Sequence, residues 1–162
     1  MKVYFSHGKE SGPWGSKIKR LAGIAKSHNC VVDSVDYSGI HDPDLRVEHL
    51  VNILKDEIDD FILVGSSMGG YVSLVAAEKV QPKGVFLLAP ALYIEGYRQQ
   101  SYNVSSNIEI VHGWSDDICP INNSIKFATA ANCPLHLIPG DHRLNSSINI
   151  VEGLFSLYLT SY

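Results

Sequence analysis

The chain has 162 residues, 45% of them hydrophobic and 19% charged, with a formal net charge of −4. This length and balance describe one globular domain, 1–162, with room for a substantial core. The acidic charge and the lack of a basic stripe argue against a nucleic-acid partner, and no apolar run nears the ~18 residues of a membrane-spanning helix.

Met1 leads directly into Val3-Tyr4-Phe5, with no apolar leader segment of the secretory kind. Cys30, Cys119 and Cys133 are odd in number and far apart, and no CxxC or CxxH pair exists. They read as reduced thiols, not as a disulfide frame or a zinc site. Both observations predict a cytoplasmic protein.

Strand-length apolar runs then alternate with helical patterns. The predicted strands are Lys2–Ser6, Val31–Asp36, Phe61–Gly65, Val85–Ala89, Ile108–His112 and Leu135–Ile138. Most are nearly continuous hydrophobic runs, which suits strands buried on both faces of a parallel sheet. The first helix, Trp14–His28, puts Ile18, Leu21, Ala22 and Ala25 on one face, and Lys17, Lys19 and Arg20 on a solvated one. The second, Asp44–Ile58, aligns Val47, Leu50, Val51 and Leu54, with Asp42 or Asp44 as the cap. Tyr71–Val80 is apolar almost all round and should be the most buried helix. Ile121–Ala131 and Ser147–Tyr158 complete the set. Such alternation predicts a three-layer α/β/α fold on an open parallel sheet of about six strands. Pro90–Asn107, rich in Tyr, Gln, Ser and Asn, is too short for a cap domain and reads as a small flap.

In open α/β sheets, functional residues collect beyond the carboxyl ends of the strands. Three such positions stand out. Gly65-Ser66-Ser67-Met68-Gly69 joins a strand to a helix as G-x-S-x-G. A sharp turn of this kind holds a serine on an exposed tip and aims helix N-terminal N–H groups at the place where an oxyanion forms. Ser67 is therefore the candidate nucleophile, and Ser66 occupies the variable position. The bland alternative is a Gly/Ser turn. After the fifth strand comes His112-Gly113-Trp114-Ser115-Asp116-Asp117-Ile118-Cys119-Pro120, and after the sixth Gly140-Asp141-His142. The order Ser, Asp, His at three strand ends supplies a nucleophile, an orienting acid and a base on one sheet edge. From the residues alone, Asp116 and Asp117 compete as the acid, one residue of loop slip exchanging them. Asp141 reads as a loop hydrogen-bonder, and His28, His41, His49 and His136 have no supporting context. Tyr93, Tyr97 and Tyr102 fit either an acyl pocket or a loop pinned by its own aromatics. Trp14 and Trp114 are either pocket wall or packing.

These motifs resemble the α/β-hydrolase superfamily over essentially the whole chain. Gly65–Gly70 resembles its nucleophile elbow, His112–Pro120 its H-G-x-x-D-x-x-V-P acid loop with Cys119 in place of Val, and Gly140–His142 its histidine loop. His7-Gly8 resembles its H-G oxyanion loop. Among relatives, the chain is similar to small capless bacterial esterase-like hydrolases and to compact serine hydrolases of the retinoblastoma-binding-protein-9 type. The resemblance implies a minimal six-stranded version with strand order 2-1-3-4-5-6. It implies Ser67 as nucleophile, Asp116 as acid, His142 as base, and an oxyanion hole of the Met68 and Lys9 backbone N–H groups. It implies no metal or organic cofactor and a small-molecule acyl substrate. Hydrolysis of a small ester or thioester is the leading expectation. A hydrolase-fold binding protein with little turnover, or an acyltransferase, are the alternatives.

Overall fold

Pairing in the sheet follows from how apolar each strand is. The computed structural model describes residues 1–162. Its strands are β1 (Lys2–Ser6), β2 (Val31–Val35), β3 (Phe61–Ser66), β4 (Gly84–Leu88), β5 (Asn107–Gly113) and β6 (Leu135–Ile138). All pair in parallel, in the order β2-β1-β3-β4-β5-β6. The central β1, β3 and β4 are buried along nearly their whole length, while β2 and β6 stand half exposed at the edges. β2 carries Asp33 and Ser34 opposite Tyr4 and Phe5 of β1, which suits an edge.

Successive residues of each central strand face opposite layers. Val3, Phe5, Ile62, Val64, Phe86 and Leu88 pack with helices α1 (Ser16–Ser27) and α5 (Ile148–Leu159). Tyr4, Leu63, Val85 and Leu87 pack with α2 (Pro43–Leu54), α3 (Met68–Val80) and α4 (Ile121–Ala131). The result is the α/β/α sandwich that the strand–helix alternation predicts. No helix is long and apolar enough to cross a membrane.

Two boundaries shift in informative ways. The third helix begins at Met68, directly after the serine, and not at Tyr71. The second ends at Leu54, short of Ile58. At its start Asp42 is the cap: Oδ1 accepts from the N–H groups of Asp44 (2.7 Å) and Leu45 (3.2 Å), with Pro43 behind it.

The start of α3 is seated by close approach. A Cβ on Gly69 would lie 2.0 Å from the Ser6 carbonyl oxygen, and one on Gly65 would lie 2.2 Å from the Gly69 oxygen. Only glycine lets this helix reach down onto the ends of β1 and β3.

The irregular stretch after β4 is strapped across α2 and α3. Asp44 accepts the Arg98 N–H (3.1 Å) and the Tyr71 hydroxyl (2.6 Å), and that hydroxyl accepts the Gln99 N–H (3.1 Å). Glu78 holds Gln99 Nε2 (2.6 Å) and the Asn103 N–H (2.9 Å). Tyr93, Tyr97 and Tyr102 stack edge-on among themselves, Tyr71 and Phe127. These aromatics pin their own loop. A cleft of about 580 Å³ opens between this strap and α4, lined by Tyr93, Tyr102, Val104, Lys126 and Phe127 among others, and Ser67 is not in its wall.

Candidate active site

Ser67 stands between β3 and α3 with φ 56° and ψ −120°, a conformation that L side chains rarely adopt. The strand beside it holds the turn. The Ser67 N–H donates to the Leu88 carbonyl (3.0 Å), and the Ser67 carbonyl accepts from Ala91 (2.9 Å) and Gly70 (2.9 Å). The side chain is thereby fixed at the carboxyl edge of the sheet, at the head of α3.

His142, in the loop after β6, meets it. Ser67 Oγ lies 2.9 Å from His142 Nε2, and His142 Nδ1 lies 2.8 Å from Asp116 Oδ2. A carboxylate at Nδ1 fixes the proton on that nitrogen, which leaves Nε2 to accept the serine hydroxyl proton. Asp117 is exposed and makes no bond to His142; the residue brought to the histidine is Asp116. Asp141 Oδ1 instead accepts the N–H groups of Arg143 (3.0 Å) and Leu144 (3.3 Å), shaping the turn around the histidine.

Asp116 has a fully buried side chain. Burial opposes its ionisation. The hydrogen bond from His142 and the N–H groups of Cys119 and Ile118, each 2.8 Å from Oδ1, together outweigh burial and hold the carboxyl below its ordinary range. A second histidine touches the same carboxylate. His112 Nε2 lies 2.9 Å from Asp116 Oδ2 and 3.0 Å from the Cys119 carbonyl, both acceptors, so the proton sits on Nε2. Nδ1 then accepts from the Ser124 hydroxyl at 2.8 Å. Burial pushes His112 below its ordinary pKa and keeps it neutral, so it steadies the acid without adding charge. The Cys119 thiol, beside Ser67, is pushed up to about 12, by burial first and the Asp116 charge second, and stays protonated.

The N–H groups of Met68 and Lys9, the expected oxyanion donors, donate to no atom of the chain. The loop after β1 that carries Lys9 lies against the serine: a Cβ on Gly8 would sit 3.5 Å from Ser67 Cβ. Trp14 and Trp114 are exposed, so neither serves as core packing. No group of three or more His, Cys, Asp or Glu is placed to hold a metal ion.

Sequence reasoning missed one neighbour of this site and caught another only in part. His112, in its H-G context, reads as part of a turn that supports the acid loop, and its direct bond to Asp116 is visible only in the fold. Arg46 reads as one more polar residue of α2, yet it is 2% exposed. Its signal was the spacing: Arg46, Leu50 and Leu54 recur every four residues on the buried face of the helix.

The six-stranded all-parallel sheet in the order β2-β1-β3-β4-β5-β6, with helices on both faces, is the fold of the α/β-hydrolase superfamily. A protein from Xanthomonas campestris assigned to that superfamily is similar at 26% identity, over 99% of each chain, with a TM-score of 0.91. Est1E from Butyrivibrio proteoclasticus is similar at 17% identity over 99% of this chain and 87% of its own, with a TM-score of 0.84. An alpha-beta serine hydrolase homologue from Coxiella burnetii gives 19% identity, 98% and 84% coverage, and a TM-score of 0.80. No curated protein matches. The model of the Uncharacterised protein family (UPF0227) matches residues 1–128, and the chain belongs to that family.

Proposed function

We propose that this hydrolase is a serine hydrolase that cleaves a small ester or thioester through an acyl-enzyme on Ser67. The observation that carries the reading is the continuous hydrogen-bond chain from Ser67 Oγ through His142 to the buried Asp116. In this reading Ser67 Oγ attacks the acyl carbon as its proton passes to His142 Nε2. Asp116 stabilises the resulting imidazolium and keeps its orientation. The carbonyl oxygen becomes an oxyanion held by the N–H groups of Met68 and Lys9. Collapse breaks the bond to the leaving group, which takes the proton from His142. Water, deprotonated by the same nitrogen, then attacks the acyl-enzyme; the bond to Ser67 Oγ breaks, Oγ takes the proton back from His142, and the acid leaves. The chemistry draws on no metal or organic cofactor. The protonated Cys119 beside the serine makes a poor competing nucleophile. Three free cysteines suit a reducing compartment, and the cytoplasm is the setting this reading assigns.

The test is covalent labelling with a fluorophosphonate. The wild type labels and turns over p-nitrophenyl acetate; Ser67→Ala does neither while its thermal transition remains. Labelling that survives in Ser67→Ala, or that maps to Ser66, sinks the assignment.

A further inference from the structure

Arg46 is the largest fully buried side chain of the protein, and no carboxylate pairs with it. A guanidinium out of water costs several kcal/mol unless its donors are used. Here they are spent on backbone carbonyls. Nε donates to Ile40 (2.7 Å), which anchors the fork. Nη1 donates to the carbonyls of Gly8 (3.1 Å) and His7 (3.3 Å), and Nη2 reaches that of Lys9 (3.5 Å). The plane lies over the Tyr37 ring, 5.2 Å from its centroid.

His7 grips the same loop. Its Nε2 accepts the Tyr37 N–H (3.1 Å), so its proton is on Nδ1, which donates to the Gly8 carbonyl (2.8 Å). The Gly8 carbonyl oxygen thus takes two donors, one of them cationic. In a trans peptide the C=O and N–H point in opposite directions. Fixing the Gly8 oxygen toward Arg46 therefore fixes the Lys9 N–H on the other side of the peptide, and this loop lies against the serine, a Cβ on Gly8 falling 3.5 Å from Ser67 Cβ. The preceding peptide does not compete, because the Gly8 N–H is taken by Ser11 Oγ (3.1 Å).

We propose that Arg46 is a positioning residue for the oxyanion hole: from the far side of the Gly8–Lys9 peptide it holds the Lys9 N–H toward Ser67 and polarises it. This rests on the hydrolase reading above. Hydrogen bonds in series polarise one another, so a cation on the carbonyl makes the N–H of the same peptide a stronger donor. No carboxylate neutralises the charge, so its field acts on the oxyanion site in the stabilising sense. The guanidinium never touches substrate. Lysine cannot replace it, because one ammonium cannot span carbonyls in the fan that the planar fork covers.

The experiment follows the Lys9 amide by ¹H–¹⁵N NMR and turnover by p-nitrophenyl acetate hydrolysis, in the wild type and in Arg46→Lys and Arg46→Gln. In the wild type the Lys9 amide proton moves downfield when a fluorophosphonate adduct forms. In both variants kcat falls about 10²–10³-fold, the scale of losing one oxyanion donor, with KM changed less than threefold, and the adduct no longer moves the Lys9 amide. A Lys9 amide that stays still in the wild-type adduct overturns the inference even if neither variant folds. Full kcat in a folded variant overturns it too. A wild type that forms no adduct overturns the hydrolase reading, and this inference with it.

Discussion

At the scale of single residues, one carboxylate serves two histidines with unequal jobs. Asp116 Oδ2 accepts from His142, whose other nitrogen faces Ser67, and from His112, whose other nitrogen faces Ser124. Asp116→Asn replaces an acceptor by a group that can donate, and lets His142 carry its proton on the wrong nitrogen. The expected loss in kcat is on the order of 10⁴, as for the same change in the triad of a serine protease. Asp117→Asn, at an exposed position, should change kcat less than threefold. Steady-state rates of the two variants decide the matter, and equal losses would mean that the acid is shared. The candidate trio was legible in the sequence because each member follows a strand, and strand ends are local signals. The choice between Asp116 and Asp117 was not legible from the residues, because one residue of slip in a loop leaves no trace in the pattern. Arg46 was hidden for another reason. A helical period identifies which positions are buried but not that a buried charge has found a carbonyl 38 residues upstream.

At the scale of elements, β1, β3 and α3 behave as one assembly with the serine at its tip. Helix α3 touches the end of β1 through Gly69, where any Cβ meets backbone and not a movable side chain. Gly69→Ala must therefore push α3 off the sheet or tilt it. The outcome expected is a lower melting temperature, with Ser67 displaced from His142 and labelling lost even in the fraction that stays folded. Ala at Gly23, inside α1 with nothing within 4 Å, is the control: it should leave labelling unchanged and melting no lower, since alanine favours the helix over glycine. A Gly69→Ala protein with normal melting and labelling would show that the close approach is not needed. The elements themselves were legible because the six strands are apolar runs bounded by turn residues. The strap after β4 was legible in part, as an irregular flap whose tyrosines either line a pocket or pin their own loop; what holds it was not, because the carboxylates of Asp44 and Glu78 come from two other helices.

At the scale of the whole molecule, two buried neutral histidines tie stability to pH. Burial, aided by the charge of Arg46, holds His7 below its ordinary 6.5, and burial does the same for His112. Unfolded, both titrate near 6.5. Just below that pH the unfolded chain binds more protons, so stability falls as pH drops, by at most about 1.4 kcal/mol per pH unit for each histidine. Asp116, held below 3.8 in the folded state, adds a further loss in the same direction at lower pH. Melting temperatures between pH 8 and pH 5 should decline below pH 6.5, and more gently in His112→Gln. A flat profile from pH 7 to pH 5 would contradict this. The strand order carries a different consequence, for the time course of assembly. β1 is first in the chain yet pairs with β3, with Lys2 opposite Phe61. Closing that long loop costs chain entropy before any pairing repays it. Until β3 arrives, Val3 and Phe5 have a sheet neighbour only on the β2 side, and the other edge of β1 stays unpaired and apolar. The centre of the sheet, where Ser67 is mounted, thus forms only after β1 has waited for a strand that lies beyond its chain neighbour β2.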